Sequence, residues 1–209
     1  MQNTSHAVMA QRVEAHDSLD DFPTPPWATR AFCEWLRPTP SATVWEPAAN
    51  RGYMVRPLQE YFGTVWGSDV HDYGAGFQTH DFLMPGYPLH DPQWIITNPP
   101  FRLAAEFVER GLEIATGGVA IIVRSVWAES AGRYDKLFRD NPPAWVLQHV
   151  HRVPMVKGRY DPKASTATGY SWFVWDCAGV WGAGTQLGWL PQSKSQLFQA
   201  SDVAQKEGS

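Results

Sequence analysis

Short apolar runs alternate with amphipathic stretches along the middle of the chain. The apolar runs are bounded by polar and turn-forming residues, a pattern typical of buried strands. The predicted strands are Thr43 to Glu46, Thr64 to Asp69, Trp94 to Thr97, Gly118 to Val123 and Ser171 to Trp175. The predicted helices are Thr29 to Leu36, Leu103 to Ala115 and Ser130 to Phe138. This alternation predicts an α/β fold, with a mostly parallel sheet covered by helices on both faces.

The length of 209 residues predicts one domain, with a folded part from Asp21 to Pro191. Residues 1–20 and 192–209 are polar and lack apolar periodicity, so we expect a flexible N-terminus and a flexible C-terminal tail. No apolar run approaches the roughly 18 residues that a membrane-spanning helix needs. The beginning of the chain also lacks the features of a secretory signal. The sequence therefore predicts a cytoplasmic protein without a membrane segment.

Charge is distributed unevenly along the chain. The whole sequence has 17 basic and 21 acidic residues, a net charge of −4 that does not by itself indicate a nucleic-acid-binding protein. The stretch from Pro57 to Phe101 contains acidic residues but neither lysine nor arginine, whereas basic residues dominate Gln148 to Ser165. The first stretch suits a cationic small molecule, and the second suits phosphate.

Small and acidic residues follow the first two predicted strands, at the edge of a parallel sheet where ligands bind. The segment from Glu46 to Gly52 has small side chains that let its backbone approach a ligand, and a helix is predicted from Tyr53. Asp69 ends the second strand at nearly the spacing at which dinucleotide-binding folds place the acid that binds ribose hydroxyls. Asp81 can accept from an adenine amino group, with Phe82 against the ring. A plain turn or helix cap is the alternative in each case.

The strand Trp94 to Thr97 is followed by Asn98, two prolines and Phe101. Proline restricts the preceding residue and cannot donate to a sheet, so the strand ends abruptly in a rigid arrangement. The Asn98 side-chain oxygen and the Pro99 carbonyl can accept the two hydrogens of an exocyclic amine. The amine nitrogen then becomes pyramidal, and its lone pair can attack an activated methyl group. Phe101 can stack on the base. The alternative is a Pro-Pro turn capped by asparagine.

These segments resemble the motifs of the amino-group DNA methyltransferases. Thr97 to Phe101 looks like their catalytic motif, and Glu46 to Gly52 looks like their loop for S-adenosylmethionine (SAM). The order of the two motifs resembles that of adenine-N6 enzymes, and the size resembles small phage and prophage members. Asp21 to Trp27 is similar to the segment that closes over the methionine part of SAM. The resemblance implies a class I SAM-dependent methyltransferase (Rossmann-like) fold, with a mostly parallel seven-stranded sheet and helices on both faces.

The resemblance also implies roles for the matching residues, with SAM as cosubstrate and adenine N6 in DNA as the favoured acceptor. The residues implied around a flipped base are Asn98, Pro99, Pro100 and Phe101. The residues implied around SAM are Thr24, Pro25, Glu46, Pro47, Ala48, Asn50, Gly52, Asp69, Asp81, Phe82 and Asn98. Asn50 stands where the family usually has glycine, but asparagine tolerates positive φ, so we expect the turn to survive. No insertion is long enough for the family's usual target-recognition module.

The segment from His149 to Ser171 is predicted to contact nucleic acid. Its basic side chains can neutralise phosphates, and Trp127 or Tyr160 can stack on a base or fill a gap. The candidate contacts are Arg152, Lys157, Arg159, Lys163 and Trp127. A merely solvated basic loop is the alternative.

Several alternatives stay open from the sequence. An Asn-Pro-Pro core, usually followed by tyrosine, also resembles families that methylate adenine in RNA or glutamine amides of proteins, and cytosine N4 offers the same amine. A catalytically inactive binding subunit is a further alternative, which Asn50 alone favours. His149 and His151 alternate on a predicted strand, but two histidines without a third ligand predict no metal site. Histidine–aspartate pairs such as His80-Asp81 indicate a metal phosphohydrolase only weakly, because they lie in a loop-rich stretch without helical spacing.

Overall fold

The computed structural model describes residues 20–86 and 88–203, so the flexibility predicted for residues 1–19 and 204–209 lies outside the described residues. The described chain forms one eight-stranded sheet in the order β3-β2-β1-β4-β5-β7-β6-β8. The strands are β1 Thr43–Glu46, β2 Thr64–Asp69, β3 Gln78–Thr79, β4 Trp94–Thr97, β5 Gly118–Arg124, β6 Trp145–His149, β7 Tyr170–Asp176 and β8 Gln186–Leu190. Within this sheet, β7 alone runs against the other strands.

Helices cover both faces of the sheet, as predicted. They are α1 Pro26–Leu36, α2 Val55–Gln59, α3 Ala104–Ile114, α4 Ala131–Arg133, which continues as a π-helical turn over Tyr134–Phe138, and α5 Lys194–Leu197. Successive strand residues point to opposite faces. Accordingly, Ile96 packs in a cluster with residues of α1 and α2, whereas Ile95 packs in a second cluster with residues of α3. Of the described helices, none is long and apolar enough to cross a membrane.

The strand order reverses between β1 and β4, which lie side by side at the centre of the sheet. The chain proceeds outward from β1 to β3 on one side, then returns to form β4 and β5 on the other side. In open α/β sheets a crevice forms at the carboxyl ends of the strands at such a reversal. The strand ends that hold Glu46 and Asn98 therefore border the crevice.

The five predicted strands are present, and β5 and β7 extend slightly beyond their predicted ends. The five predicted strands do not include β3, β6 or β8, and the sheet has eight strands where the resemblance implies seven. β3 has only two residues, both exposed, and β8 is an edge strand whose Leu187 and Trp189 are exposed, so neither resembles a buried strand. The helix predicted from Tyr53 begins at Val55. β6 ends at His149, so the expectation that His149 and His151 alternate on a strand is wrong.

The chain after Pro191, predicted to be a flexible tail, packs against α1 as far as the structure describes it. Arg30 of α1 is buried and donates to both carboxylate oxygens of Asp202, at 2.8 and 2.9 Å. Arg30 also donates to both carboxylate oxygens of Glu60, at 2.7 and 2.8 Å. A buried ion pair thus ties Asp202 to the first helix, within the segment that was expected to be a flexible tail.

Candidate active site

A cavity of about 260 Å³ opens at the carboxyl ends of β1, β2 and β4. Its wall combines the loop after β1, the end of β2, the segment after β3, and the start of the described chain. The predicted residues that line it are Thr24, Glu46, Pro47, Ala48, Asn50, Asp69, Asp81, Phe82, Asn98 and Pro100. Lining residues that the sequence interpretation missed include Asp20, Phe22, Tyr53, Val70, Tyr73 and His80. The four motif-bearing segments thus meet at one place.

The loop after β1 makes a tight turn that depends on two residues with positive φ. Asn50 has a φ of 50° and Gly52 a φ of 82°. The expectation that asparagine keeps this turn is confirmed. At Gly52 a Cβ atom would lie 2.8 Å from the Cζ atom of Phe77, so a side chain has no room there. Gly52 shapes the loop without lining the cavity.

Asp69 is fixed in position by backbone donors at the end of β2. Its Oδ2 atom accepts from the Asn50 N–H at 2.9 Å, and its Oδ1 atom accepts from the His71 N–H at 3.0 Å. Burial raises the pKa of the Asp69 carboxyl above its usual value. Each carboxylate oxygen can accept more than one hydrogen bond, so Asp69 retains acceptor capacity toward the cavity.

Glu46 is a fully buried carboxyl group that joins β1 to β4. Its Oε1 atom accepts from the Thr97 hydroxyl at 2.6 Å and from the Ala48 N–H at 2.9 Å. Its Oε2 atom has no hydrogen-bond partner among the described residues. Burial raises the pKa of Glu46 to about 8, because a charged carboxylate is poorly solvated there.

Asn98 lines the cavity and has a side-chain oxygen without a hydrogen-bond partner among the described residues. Its Nδ2 atom donates to the carbonyl oxygen of Phe22 at 2.8 Å, and this bond assigns the orientation of the amide group. The Oδ1 atom is buried and has no partner among the described residues. Buried acceptors are nearly always satisfied in folded proteins, so an orphan at a cavity wall indicates a place for a ligand donor.

The turn after Asn98 is held by the first described residue of the chain. The N–H of Phe101 donates to the Asp20 carboxylate at 2.7 Å. The Phe101 ring lies 5.4 Å from the Phe22 ring, measured between centroids. Pro99 is buried, and neither Pro99 nor Phe101 lines the cavity itself. The sequence interpretation missed Asp20 and the Phe22 carbonyl, since a backbone oxygen leaves no signal in a side-chain pattern.

The other residues implied around SAM take different positions. Thr24 is buried with its hydroxyl unpaired in the described structure, and Pro25 precedes α1 without lining the cavity. Asp81 is exposed and accepts from the Leu83 N–H at 3.0 Å, so it forms a turn as well as facing the cavity. Phe82 is buried against Trp45, and its ring borders the cavity.

The basic segment from His149 to Ser171 contacts Asn98. The Met155 sulfur lies 3.8 Å from the Asn98 Nδ2 atom, and the Gly158 N–H donates to the Asp21 carbonyl at 2.7 Å. Its basic side chains are exposed, and Arg159 lies 3.5 Å from Asp161. The exposed side chains are Arg152, Lys157, Arg159 and Lys163. The segment therefore contacts Asn98 through Met155 and Asp21 through Gly158, and it carries exposed positive charge.

Of the two roles expected for Trp127, the structure favours gap filling over stacking on a base. Its side chain is only 8% exposed, and its ring packs 5.0 Å from Phe173 and 5.3 Å from Phe138. The guanidinium of Arg133 lies 4.5 Å from the same ring. Tyr160 is also buried. Both aromatics fill the protein interior, which sequence reasoning cannot distinguish from a stacking role. The described residues contain no group of three or more side chains that could hold a metal ion.

No protein-family model matches the chain, and no curated protein matches it in sequence. Solved structures do resemble it. A Listeria monocytogenes protein assigned to the class I SAM-dependent methyltransferases is 15% identical with a TM-score of 0.59, and the match covers 90% of this chain and 70% of that chain. A modification subunit assigned to a type I restriction enzyme of Vibrio vulnificus YJ016 is 14% identical with a TM-score of 0.58.

The match to the Vibrio subunit covers 91% of this chain and 52% of that chain, so this chain spans about half of that subunit's length. A Pyrococcus horikoshii protein assigned as an RNA methyltransferase is 13% identical with a TM-score of 0.51, with 72% of this chain and 83% of that chain covered. The strand order and the single reversed strand fit these similarities. The chain has the fold of the class I SAM-dependent methyltransferases.

Proposed function

We propose that the chain is a SAM-dependent methyltransferase that transfers a methyl group to an exocyclic amino nitrogen, with adenine N6 in DNA as the favoured acceptor. The observation that carries this proposal is the unpaired Oδ1 atom of Asn98, held at the cavity by the bond from Nδ2 to the Phe22 carbonyl. A fixed, buried acceptor with no internal partner suits an amine donor from a substrate.

The donors and acceptors of the cavity fit SAM. Thr24 Oγ1 and Glu46 Oε2 are buried, unpaired in the described structure, and belong to residues that line the cavity. Asp69 would accept from the ribose hydroxyls, and Asp81 and Phe82 would contact the adenine ring. Glu46 and Thr24 would face the cationic methionine part. When bound, SAM supplies a methyl group that its sulfonium already activates.

The residues of the chain then act mainly by position and hydrogen bonding. Asn98 Oδ1 accepts one hydrogen of the acceptor amine, and the Pro99 carbonyl accepts the other. These bonds favour a pyramidal nitrogen whose lone pair points away from both acceptors. No strong base is required for this step, because the electrostatic stabilisation is built into fixed groups. Phe101 supplies an aromatic surface beside the amine.

Exposed positive charge on the segment that contacts Asn98 favours a nucleic acid over a protein as acceptor. Exposed basic side chains between Arg152 and Lys163 suit a phosphate backbone, whereas a glutamine amide needs no such charge. The resemblance of the catalytic motif favours DNA adenine. RNA adenine, cytosine N4 and protein glutamine are the alternatives that the acceptor assay separates.

An inactive binding subunit is the remaining alternative, and the geometry of the SAM loop argues against it. Asn50 adopts the left-handed conformation that the loop needs, and its N–H holds Asp69 in position. Asn50, the residue whose identity favoured an inactive protein, therefore supports an intact loop.

The test is transfer of labelled methyl from SAM to unmethylated DNA, with total RNA and a protein extract in parallel, and identification of the product by mass. We expect N6-methyladenine in DNA. The variant Asn98→Ala should abolish transfer while SAM still binds, and Asn141→Ala, at an exposed asparagine outside the cavity, is the matched control. If the label appeared only in RNA or only in protein, the methyl-transfer proposal would stand and that molecule would replace DNA as the acceptor. No label, with no SAM binding by calorimetry, would contradict the proposal.

A further inference from the structure

An arginine covers the aromatic ring that is predicted to stack on the acceptor base. Arg124 is the last residue of β5, next to β4 in the sheet. Its guanidinium carbon lies 5.3 Å from the centroid of the Phe101 ring. Phe22 contacts the same ring. A base cannot use the part of the Phe101 ring beneath the guanidinium unless the Arg124 side chain moves.

The backbone at Arg124 is held in the sheet, whereas its side chain is exposed. Arg124 pairs with Tyr170 in the β5–β7 ladder, and the next residue, Ser125, donates its N–H to Gly169 at 2.9 Å. The Arg124 side chain is exposed, and no described carboxylate forms an ion pair with it. The contact with Phe101 is an exposed cation–π interaction, which is a weak one.

A second guanidinium lies close to this strand end. A Cβ atom added at Gly169 would lie 3.1 Å from Ser125 Oγ and 3.2 Å from Arg152 Nη1. Ser125 Oγ and Arg152 Nη1 therefore both lie close to Gly169. Ser125 directly follows Arg124 in the chain, and the Arg152 side chain is exposed. Guanidinium groups bind phosphate oxygens well, so Arg124 and Arg152 are the two candidate contacts to a phosphodiester at this strand end.

We propose that Arg124 is a phosphate-operated gate on Phe101, an inference that rests on the proposed function. In the free protein its guanidinium covers the ring. A phosphate that flanks the acceptor nucleotide makes stronger, charge-assisted hydrogen bonds with Arg124 and draws it off the ring. The acceptor base then takes its place on Phe101, with Arg152 as a second contact to the phosphate. Acceptors without a neighbouring phosphate leave the gate closed.

The gate is tested by binding of a short single-stranded oligothymidylate with one central adenine, measured by fluorescence anisotropy. One form has phosphodiesters throughout, and the other has uncharged methylphosphonates on both sides of the adenine. We expect the methylphosphonates to weaken binding to the wild-type protein about tenfold, and to change binding to Arg124→Met less than about twofold. The slope of log Kd against log salt should fall by about one in Arg124→Met.

Arg139→Met is the matched control, because Arg139 also lies over an aromatic ring, at 5.5 Å from the Tyr134 centroid, but on the exposed surface of the π-helical turn. It should keep the tenfold difference. An equal difference in Arg124→Met and the wild-type protein would overturn the gate, and so would absence of oligonucleotide binding. If the protein bound the oligonucleotides but transferred methyl to no acceptor, the proposed function alone would be contradicted. The comparison of the phosphodiester and methylphosphonate oligonucleotides would still decide whether Arg124 acts as a gate.

Discussion

The side-chain amide of Asn98 donates to the backbone carbonyl of Phe22 at 2.8 Å, across a separation of 76 residues. This bond joins the catalytic motif to the segment that precedes the first helix. It also decides the orientation of the amide, because Nδ2 is occupied and Oδ1 has no partner among the described residues. The orientation of the proposed acceptor therefore depends on a residue far away in the sequence.

Asn98→Asp tests this orientation with a side chain of nearly the same shape. Aspartate has no N–H to donate, so its carboxylate would be repelled by the Phe22 carbonyl and would lose the observed orientation. We expect the rate of methyl transfer to fall by about 100-fold or more, while the Kd for SAM changes little. Rapid-quench measurement of one turnover, with calorimetry for SAM, checks both. A rate within about twofold of wild type would show that the amide orientation has no role.

The local elements of this protein could be predicted well from its sequence. β1, β2 and β4 match their predicted ends, because each is a short apolar run closed by a polar residue or proline. The acids at those ends gather at one cavity, since parallel strands bring their carboxyl ends to the same edge. Contacts between distant segments could not be predicted. Asp20 at Phe101 and Asp202 at Arg30 depend on tertiary packing that has no local pattern.

The buried Glu46 should make stability depend on pH. Its folded-state pKa of about 8 lies above the ordinary value of 4.5, so the folded protein holds a proton that the unfolded chain releases. The stabilisation is complete below about pH 4.5 and is lost as pH rises through about 8, by an amount on the order of a few kcal/mol. Denaturant unfolding of wild-type protein and Glu46→Gln, at steps between pH 5 and 8, checks this.

Glu46→Gln keeps an acceptor oxygen for Thr97 and Ala48 but cannot ionise. Its free energy of unfolding should therefore fall less than that of the wild-type protein over this range. Other groups, including His149, whose pKa burial lowers to about 3, titrate equally in both proteins, so the difference between them isolates Glu46. Parallel pH profiles for the two proteins would mean that Glu46 stays ionised after folding.

The SAM loop should not tolerate a side chain at Gly52. Gly52→Ala places a methyl group about 2.8 Å from Phe77 Cζ in a residue with a φ of 82°. We expect a loss of about 1–3 kcal/mol in the free energy of unfolding and weaker binding of SAM. Gly76→Ala is the control, because Gly76 has a φ of 78° with no atom within 4 Å of the added methyl.

The two glycine variants have nearly the same backbone strain, so the difference between them measures the contact with Phe77. Thermal unfolding and calorimetry with SAM report on stability and on the loop separately. Equal losses in the two variants, with unchanged SAM affinity, would show that Phe77 shifts without cost and that the loop does not depend on this contact.

The ion pair between Arg30 and Asp202 should be needed for full stability. The two side chains are 4% and 5% exposed, so Asp202→Ala removes a buried partner and leaves Arg30 with Glu60, whose side chain is 35% exposed. We expect a loss of about 3 kcal/mol in the free energy of unfolding, as is typical when one partner of a buried pair is removed. Urea unfolding followed by tryptophan fluorescence checks this.

Asp135→Ala is the matched control, because Asp135 pairs with Arg139 where both side chains are more than half exposed. Water already solvates those charges, so the control should lose less than about 1 kcal/mol. The contrast also tests where the folded domain ends. If Asp202→Ala were no more destabilising than the control, residues 192–203 would contribute nothing to the folded state, and the boundary expected at Pro191 would describe the chain better than the packing against α1.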